Sequence, residues 1–145
     1  CIRESNRGDK IEEFLMLRKN FLSKNDKIDF KEMNSINLIN HKKKYDLIWI
    51  DGAHGYPIVC MDILNSLKLI NNQGIIMCDD VWIDNVVSDK MYTSLAAYET
   101  LNELKAEGII NFDLIYKRLD ASSNCLEKKR KFVAIISLKF DKSSI

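Results

Sequence analysis

Apolar and polar residues along the chain follow patterns that predict a series of helices and strands. In Asp9–Ser23 the apolar residues recur at helical spacing with charges between them, which predicts an amphipathic helix. Lys27–Met33 alternates apolar and polar residues and predicts a short, half-exposed strand. Ser35–Asn40 fits a helical turn, and His41–Lys44 fits a basic surface loop.

A continuous apolar run, Leu47–Ile50, predicts a parallel strand that is covered on both faces. The run stops at Asp51–Gly55, and Pro57 is suited to the first position of a helix. Helical spacing continues to a break at Asn71–Gly74, and Ile75–Cys78 predicts a second buried strand. A strand, a helix and a strand this close together predict a right-handed crossover.

The remaining pattern predicts a third helix over Tyr92–Glu107, with Gly108 at its C-terminal cap. Two further strands, Phe112–Lys117 and Phe132–Phe140, flank a long polar loop. The predicted fold class is α/β: a Rossmann-like open, mostly parallel sheet with helices on both faces and an antiparallel strand pair at the C-terminal end. A chain of 145 residues suits one hydrophobic core, so we expect a single domain over residues 1–145.

Composition argues against several classes of protein. The chain has 22 Lys+Arg and 21 Asp+Glu, and this balance lacks the basic excess of a dedicated nucleic-acid binder. No apolar run approaches the ~20 residues of a membrane span, and charged residues fill the place of a signal peptide. The four cysteines show no CxxC spacing, which favours free thiols in a reducing compartment. We therefore expect a cytoplasmic protein without a membrane partner.

Carboxylates follow both central predicted strands: Asp51 follows the first, and Asp79 and Asp80 follow the second. Adjacent parallel strands lie ~4.8 Å apart and end at the same edge of a sheet, so these side chains should share one crevice. Three converging carboxylates require a cation or a raised pKa, and their oxygen ligands suit Mg²⁺, Mn²⁺ or Ca²⁺. The alternative is that Asp51 and Asp80 only cap the loops or helices that follow.

His54 lies three residues after Asp51, in a turn flanked by glycines. An imidazole in this place can act as a general base at neutral pH. The alternative is a histidine that only stabilises a tight turn. Trp82, Ile83 and Tyr92 come after the acidic pair, so we expect them to line a substrate pocket.

Two segments, Tyr45–Tyr56 and Gln73–Asp80, together with Asp62 between them, resemble the class I S-adenosylmethionine-dependent methyltransferases. Within that class they are similar to the metal-dependent O-methyltransferase branch that includes catechol and macrolide-sugar enzymes. The resemblance extends loosely over Lys27–Phe140. It implies methyl transfer from S-adenosylmethionine to a hydroxyl of a small molecule or sugar.

The resemblance also implies a role for individual residues. Asp51, Asp79 and Asp80 would form a divalent-metal site, with Mg²⁺ as the expected ion. His54 would take the proton from the substrate hydroxyl. Ser35, at the point where such enzymes close over the adenine, and Asp51 would contact the cofactor.

One part of the family pattern is not visible in this chain. The family holds its cofactor through a glycine-rich loop after strand one and an acidic residue after strand two, but Gly8 is the only glycine before Gly52. We therefore expect that the first β-α-β portion is missing and that this chain alone binds the cofactor weakly. Leu47–Ile50 would then be an exposed sheet edge, covered either by Lys27–Met33 or by a second copy of the chain.

Three other functions stay open at this point. A phosphoacceptor receiver domain also gathers an acidic pair and a single Asp, but in the opposite order along the chain. A nucleic-acid module would use the basic runs His41–Lys44 and Lys128–Lys131, although such short runs are usually solvated loops. A non-catalytic Rossmann-like domain for interaction or structure agrees with the missing cofactor half.

Overall fold

A computed structural model of the protein describes residues 11–84, 94–117 and 131–139. Contacts divide the chain into two compact units, Cys1–Asn34 and Ser35–Ile145. The described elements, in chain order, are α1 (Ile11–Ser23), a 3-10 helix (Ser35–Asn40), β1 (Tyr45–Ile50), α2 (Ile58–Leu69), β2 (Ile70–Trp82), α3 (Ala96–Ala106), β3 (Ile110–Lys117) and β4 (Lys131–Leu138).

The first unit contains α1, which confirms the helix predicted near the start of the chain. In the same unit the Arg18 guanidinium lies 5.1 Å from the centre of the Phe30 ring. The predicted strand over Lys27–Met33 is wrong, because this segment pairs with no described strand and its side chains are exposed. Alternation alone does not stabilise a strand that has no partner to complete its hydrogen bonds.

The described residues of the second unit form a sheet of four strands in the order β1-β2-β4-β3. β1 and β2 are parallel, and Ile48 lies opposite Ile76 in their register. β4 runs antiparallel to both β2 and β3. Since α2 connects the two parallel strands, the α/β class and the antiparallel C-terminal end of the sheet are confirmed.

One hydrophobic core lies between the sheet and the helices α2 and α3. Burying an aliphatic side chain of this kind contributes about 1.5–3 kcal/mol. The largest side chains that are almost completely buried include Trp82, Ile63, Ile70, Ile76, Leu101, Ile110 and Ile136. On the other face of β1, Leu47 is 60% exposed and Trp49 is 51% exposed, so the prediction of a strand covered on both faces is wrong.

The helix ends follow the chemistry of their residues. Pro57 is the N-cap of α2, one position before the place predicted for it. Gly108 directly follows Glu107, the C-cap residue of α3, so it lies one position after the place predicted for it. Gly108 has φ 69°, in the left-handed region that glycine adopts without strain. Its N–H donates to the Lys105 carbonyl at 3.0 Å. Tyr92, the predicted start of the third helix, lies outside the described residues, and α3 begins at Ala96.

β2 is much longer than predicted, because Asn71–Gly74 belongs to the strand and does not form a turn. The Asn71 side-chain amide donates to Asp46 Oδ1 at 2.6 Å, which ties this end of β2 to β1. The strand also continues past Asp79 and Asp80, so the acidic pair lies within β2 and not after it.

No described helix has the length and apolar character that a membrane crossing requires. Cys60 and Cys78 are free thiols, as the cysteine spacing predicts. Cys1 and Cys125 lie outside the described residues.

Candidate active site

The acidic pair lies where β2 changes its strand partner. Pairing with β1 ends at Cys78, and regular pairing with β4 is interrupted between Cys78 and Val81. Within this interruption Asp80 has φ 59°, a conformation that Asp tolerates better than most residues. Consecutive side chains of a regular strand point to opposite faces, but here Asp79 and Asp80 both reach one lysine.

That lysine is Lys117, the last residue of β3. Its Nζ lies 2.7 Å from Oδ1 and 2.6 Å from Oδ2 of Asp79, and 3.2 Å from Oδ1 of Asp80. Lys131, the first residue of β4, is the direct cross-strand partner of Lys117, and its Nζ also contacts Asp80 Oδ1. Like charges placed opposite each other on neighbouring strands repel, so the carboxylates stabilise this pair of lysines.

The second oxygen of Asp80 faces His54. His54 Nε2 lies 3.3 Å from Asp80 Oδ2, and the two side chains are only 23% and 19% exposed. A neutral imidazole that donates its Nε2–H to this carboxylate keeps Nδ1 as the nitrogen that can accept a proton. In that tautomer the contact with Asp80 fixes the orientation of the imidazole ring.

The charges of the site are arranged to keep Asp80 ionised. Partial burial by itself raises the pKa of Asp80, but hydrogen bonds from Lys131 and Lys117, and their charges, lower it below its usual value. The hydrogen bond to Asp79 raises the pKa of Lys117 above its usual value, against the opposing effect of burial. At neutral pH Asp80 is therefore a carboxylate and Lys117 an ammonium.

The buried thiol of Cys78 lies within the electrostatic reach of four carboxylates. Burial, together with the charges of Asp79, Asp62, Asp80 and Asp51, raises the pKa of Cys78 to about 12. Asp51, Asp79 and Asp80 act on this thiol from the carboxyl edge of the parallel strands, and Asp62 acts on it from α2.

Asp62, on α2, lies close to the turn that follows β1. One of its oxygens, Oδ1, is buried and has no hydrogen-bond partner in the part of the chain that the structure describes. The other, Oδ2, would lie 3.2 Å from a side-chain carbon placed on Gly52. The absence of a side chain on Gly52 thus lets the Asp51–Gly52 turn approach α2 closely.

Comparison with known proteins identifies the family to which the chain belongs. A family model described as a methyltransferase domain matches residues 9–81, which is half of the chain. The chain belongs to this family of methyltransferase domains. No curated protein sequence matches it.

The fold of this methyltransferase domain is similar to that of solved structures. A proposed O-methyltransferase from Klebsiella pneumoniae aligns with a TM-score of 0.56 and 14% identity, over 94% of this chain and 59% of that chain. At this identity the likeness supports the fold alone, which is Rossmann-like. A precorrin 8W decarboxylase from Methanobacterium thermoautotrophicum aligns with a TM-score of 0.43 and 13% identity, over 85% of this chain and 60% of that chain, and this match is too weak to support an argument. The chain thus spans about three fifths of the structures it matches.

The methyltransferase domain brings three of the predicted site residues together, namely His54, Asp79 and Asp80. Asp51 is exposed after β1, within the electrostatic reach of Cys78. Ser35 begins the 3-10 helix, and its carbonyl accepts a hydrogen bond from the Asn65 amide of α2 at 3.1 Å. The cofactor contacts of Ser35 and Asp51 stay predictions.

The predicted substrate pocket agrees less well with the structure. Trp82 is only 2% exposed, so it packs in the core and does not line an open pocket, and this part of the prediction is wrong. Ile83 is partly exposed, and Tyr92 lies outside the described residues.

Sequence analysis missed the two lysines of the site. The sequence patterns predict Lys117 only as the end of a strand and Lys131 only as part of a basic loop. The available signal was their position at the two ends of one polar connection between strands that pair antiparallel. That position places two positive charges next to each other at one edge of the sheet.

The carboxylate oxygens of this methyltransferase domain do not fit the three-carboxylate metal site that the resemblance implies. Both oxygens of Asp79 contact Lys117, and Asp80 Oδ1 contacts Lys117 and Lys131. Among the described residues no group of three or more His, Cys, Asp or Glu side chains is arranged to hold a metal ion. Metal binding through Asp51, Asp79 and Asp80 stays a prediction.

Proposed function

We propose that the protein transfers the methyl group of S-adenosylmethionine to a hydroxyl of a small molecule or sugar, with His54 as the general base. Membership of the methyltransferase domain family supports methyl transfer. The single observation that supports a hydroxyl acceptor is the contact of 3.3 Å between His54 Nε2 and Asp80 Oδ2. This pair lies at the carboxyl edge of the parallel strands, where open α/β sheets bind their ligands.

The chemistry requires a base because a neutral hydroxyl is a poor nucleophile. When bound, S-adenosylmethionine would supply an electrophilic methyl carbon attached to a positively charged sulfur. His54 Nδ1 would accept the hydroxyl proton as the oxygen forms its bond to that carbon. The carbon–sulfur bond would break at the same time, and its electron pair would stay on the sulfur, which leaves as the neutral thioether S-adenosylhomocysteine. The Asp80 carboxylate would orient the imidazole and stabilise the imidazolium that results. Ser35 and Asp51 are the residues that we propose to contact the cofactor.

The proposal concerns the whole protein, since this chain spans only 59% of the O-methyltransferase to which it is similar. The acceptor we propose is a small molecule, without a membrane or nucleic-acid partner. A cytoplasmic location and self-association of the chain are further predictions.

The test compares the two histidines of the chain. Transfer of a radiolabelled methyl group is measured with a panel of phenols, catechols and sugars, and cofactor binding is measured by calorimetry. We expect His54→Ala to lower kcat by about 10²–10⁴-fold with little change in the cofactor Kd. His41→Ala is the matched control, because His41 Nε2 lies 2.9 Å from the Tyr45 hydroxyl, in a contact separate from the Asp–Lys cluster.

Two results would contradict the proposal. If His54→Ala lowers stability but leaves turnover per folded molecule intact, His54 only stabilises its turn. If the protein neither binds S-adenosylmethionine nor transfers its methyl group, a non-catalytic role in interaction or structure is the better explanation.

Metal assistance through Asp51, Asp79 and Asp80 is a competing form of the same proposal. The shared field of these carboxylates at Cys78 supports it, because a negative region attracts cations. The lysine contacts argue against it. If a metal assists the reaction, EDTA should abolish methyl transfer and Mg²⁺ should restore it. A reaction that proceeds unchanged in EDTA would exclude metal assistance.

A further inference from the structure

We infer that Lys117 and Lys131 are built-in counter-cations of the Asp79–Asp80 pair and exclude a divalent metal ion from this position. In the enzymes that the sequence resembles, a metal would balance these carboxylates. In this chain two ammonium groups from β3 and β4 contact them directly. The inference concerns the charges of the chain itself and does not depend on the proposed methyl transfer.

The contacts of Lys117 use the oxygens that a metal would need. Its Nζ lies within 2.6–2.7 Å of both oxygens of Asp79, the usual range for a charge-assisted hydrogen bond or slightly shorter. Asp79 is itself buried, with 7% of its surface exposed. A divalent ion could reach this carboxylate only by displacing Lys117.

The backbone holds both lysines in this position. Lys117 and Lys131 are paired residues of the β3–β4 ladder, and Lys131 is also paired with Trp82 of β2. The Lys131 side chain is only 13% exposed, against 39% for Lys117. Displacing Lys131 from Asp80 would leave a mostly buried ammonium without its counter-charge, which is unfavourable.

The charges of this group of four side chains balance. Asp79 and Asp80 supply two negative charges, and Lys117 and Lys131 supply two positive charges. A divalent cation added to this group would meet two fixed positive charges at close range, where the repulsion is strong because the groups are partly buried. Removing both lysine charges would leave the acidic pair uncompensated and able to attract a metal.

The experiment measures Mn²⁺ binding to the metal-free protein by electron paramagnetic resonance, without any assay of activity. We expect no saturable binding to the wild-type protein at millimolar Mn²⁺. The double variant Lys117→Met/Lys131→Met should gain a saturable site whose Kd lies at least about tenfold below the lower limit that the titration sets for the wild-type protein, which corresponds to about 1.4 kcal/mol. Adding Asp80→Asn to this double variant should remove the new site.

Lys139→Met is the matched control, because Lys139 follows β4 and is exposed to solvent. It should leave Mn²⁺ binding unchanged. Saturable binding to the wild-type protein that Asp79→Asn abolishes would overturn the inference. If the double variant does not fold, the Mn²⁺ titration of the wild-type protein still tests the inference. Saturable Mn²⁺ binding to the wild-type protein, together with a rise in its unfolding temperature, would contradict the exclusion of metal. Loss of methyl transfer with normal exclusion of Mn²⁺ would count against the proposed function only.

Discussion

Asp80 connects the groups of the candidate site because its two oxygens have different partners. Oδ1 contacts Lys117 and Lys131, whereas Oδ2 faces His54. Its left-handed backbone, at φ 59°, costs about 1–2 kcal/mol for a residue with a side chain. The hydrogen bonds from two ammonium groups help to offset this cost.

The ionisation of Asp80 predicts how stability depends on pH. Its pKa is lower in the folded protein than its ordinary value of 3.8, so the carboxylate stabilises the fold above that pH. This contribution is lost as the pH falls through the lowered pKa. We expect the difference in unfolding free energy between the wild-type protein and Asp80→Asn to shrink below pH 3.8. Urea unfolding over a pH series measures it, and a difference that stays constant to the acid limit would contradict it.

The buried thiol of Cys78 gives a second prediction for a single residue. With a pKa of about 12, it is almost entirely protonated at pH 8, and only the thiolate reacts with alkylating agents. We expect iodoacetamide to modify the half-buried Cys60 faster than Cys78 in the folded protein, as followed by peptide mass spectrometry. In urea both thiols should react. Equal rates in the folded protein would show that Cys78 is accessible.

β2 carries the candidate site, and its start depends on close contact with β1. Gly74 is buried at this point, and a side-chain carbon placed on it would lie 2.7 Å from Ile70 Cγ1 and 2.9 Å from the Asp46 carbonyl oxygen. These distances are shorter than van der Waals contact. The strand thus requires glycine here for packing, whereas the Asn-Asn-Gln-Gly sequence by itself favours a turn.

We therefore expect Gly74→Ala to lower the free energy of unfolding by about 1–3 kcal/mol, as overpacking does in other cores. Gln73→Ala is the matched control, because Gln73 is exposed in the same strand and its substitution should change stability by less than about 0.5 kcal/mol. Chemical denaturation of the two variants measures the difference. Equal stability would mean that β2 shifts to admit the methyl group.

The sheet as a whole has β1 and β3 at its two edges within the described residues. The position of β1 agrees with the sequence-based expectation of an apolar edge strand. Lys27–Met33, one of the two predicted covers of this edge, does not form a strand. The other is pairing with a second copy, because unpaired strand edges promote association.

We predict that the chain of 145 residues self-associates through β1. Leu47→Lys/Trp49→Lys should shift it towards the monomer, since charge on an edge strand opposes pairing. Ile115→Lys is the control, because Ile115 is 51% exposed on the opposite edge strand. Light scattering after size exclusion measures the mass. A monomeric wild-type chain, or an equal effect of both variants, would contradict the prediction.

Local sequence patterns were sufficient to predict most of the elements and the location of the candidate site. Helical spacing identified α1, α2 and α3, and the apolar runs identified β1 and the centre of β2, because these patterns depend on residues close together in the chain. The motifs around His54 and Asp79–Asp80 indicated a methyltransferase, and the family match confirms it. Local signals were wrong where pairing with another strand is required, as in Lys27–Met33, which alternates like a strand but pairs with none of the described strands.

Only the tertiary structure decided the charge balance of the site. Lys117 lies 38 positions from Asp79 along the chain, and they meet because β4 pairs with both β2 and β3. The interruption of β2 between Cys78 and Val81 then brings two consecutive carboxylates to the same ammonium. Strand order, register and a local break in pairing are properties of the assembled sheet. No short sequence pattern specifies them, so the sequence predicted a metal where the fold places two lysines.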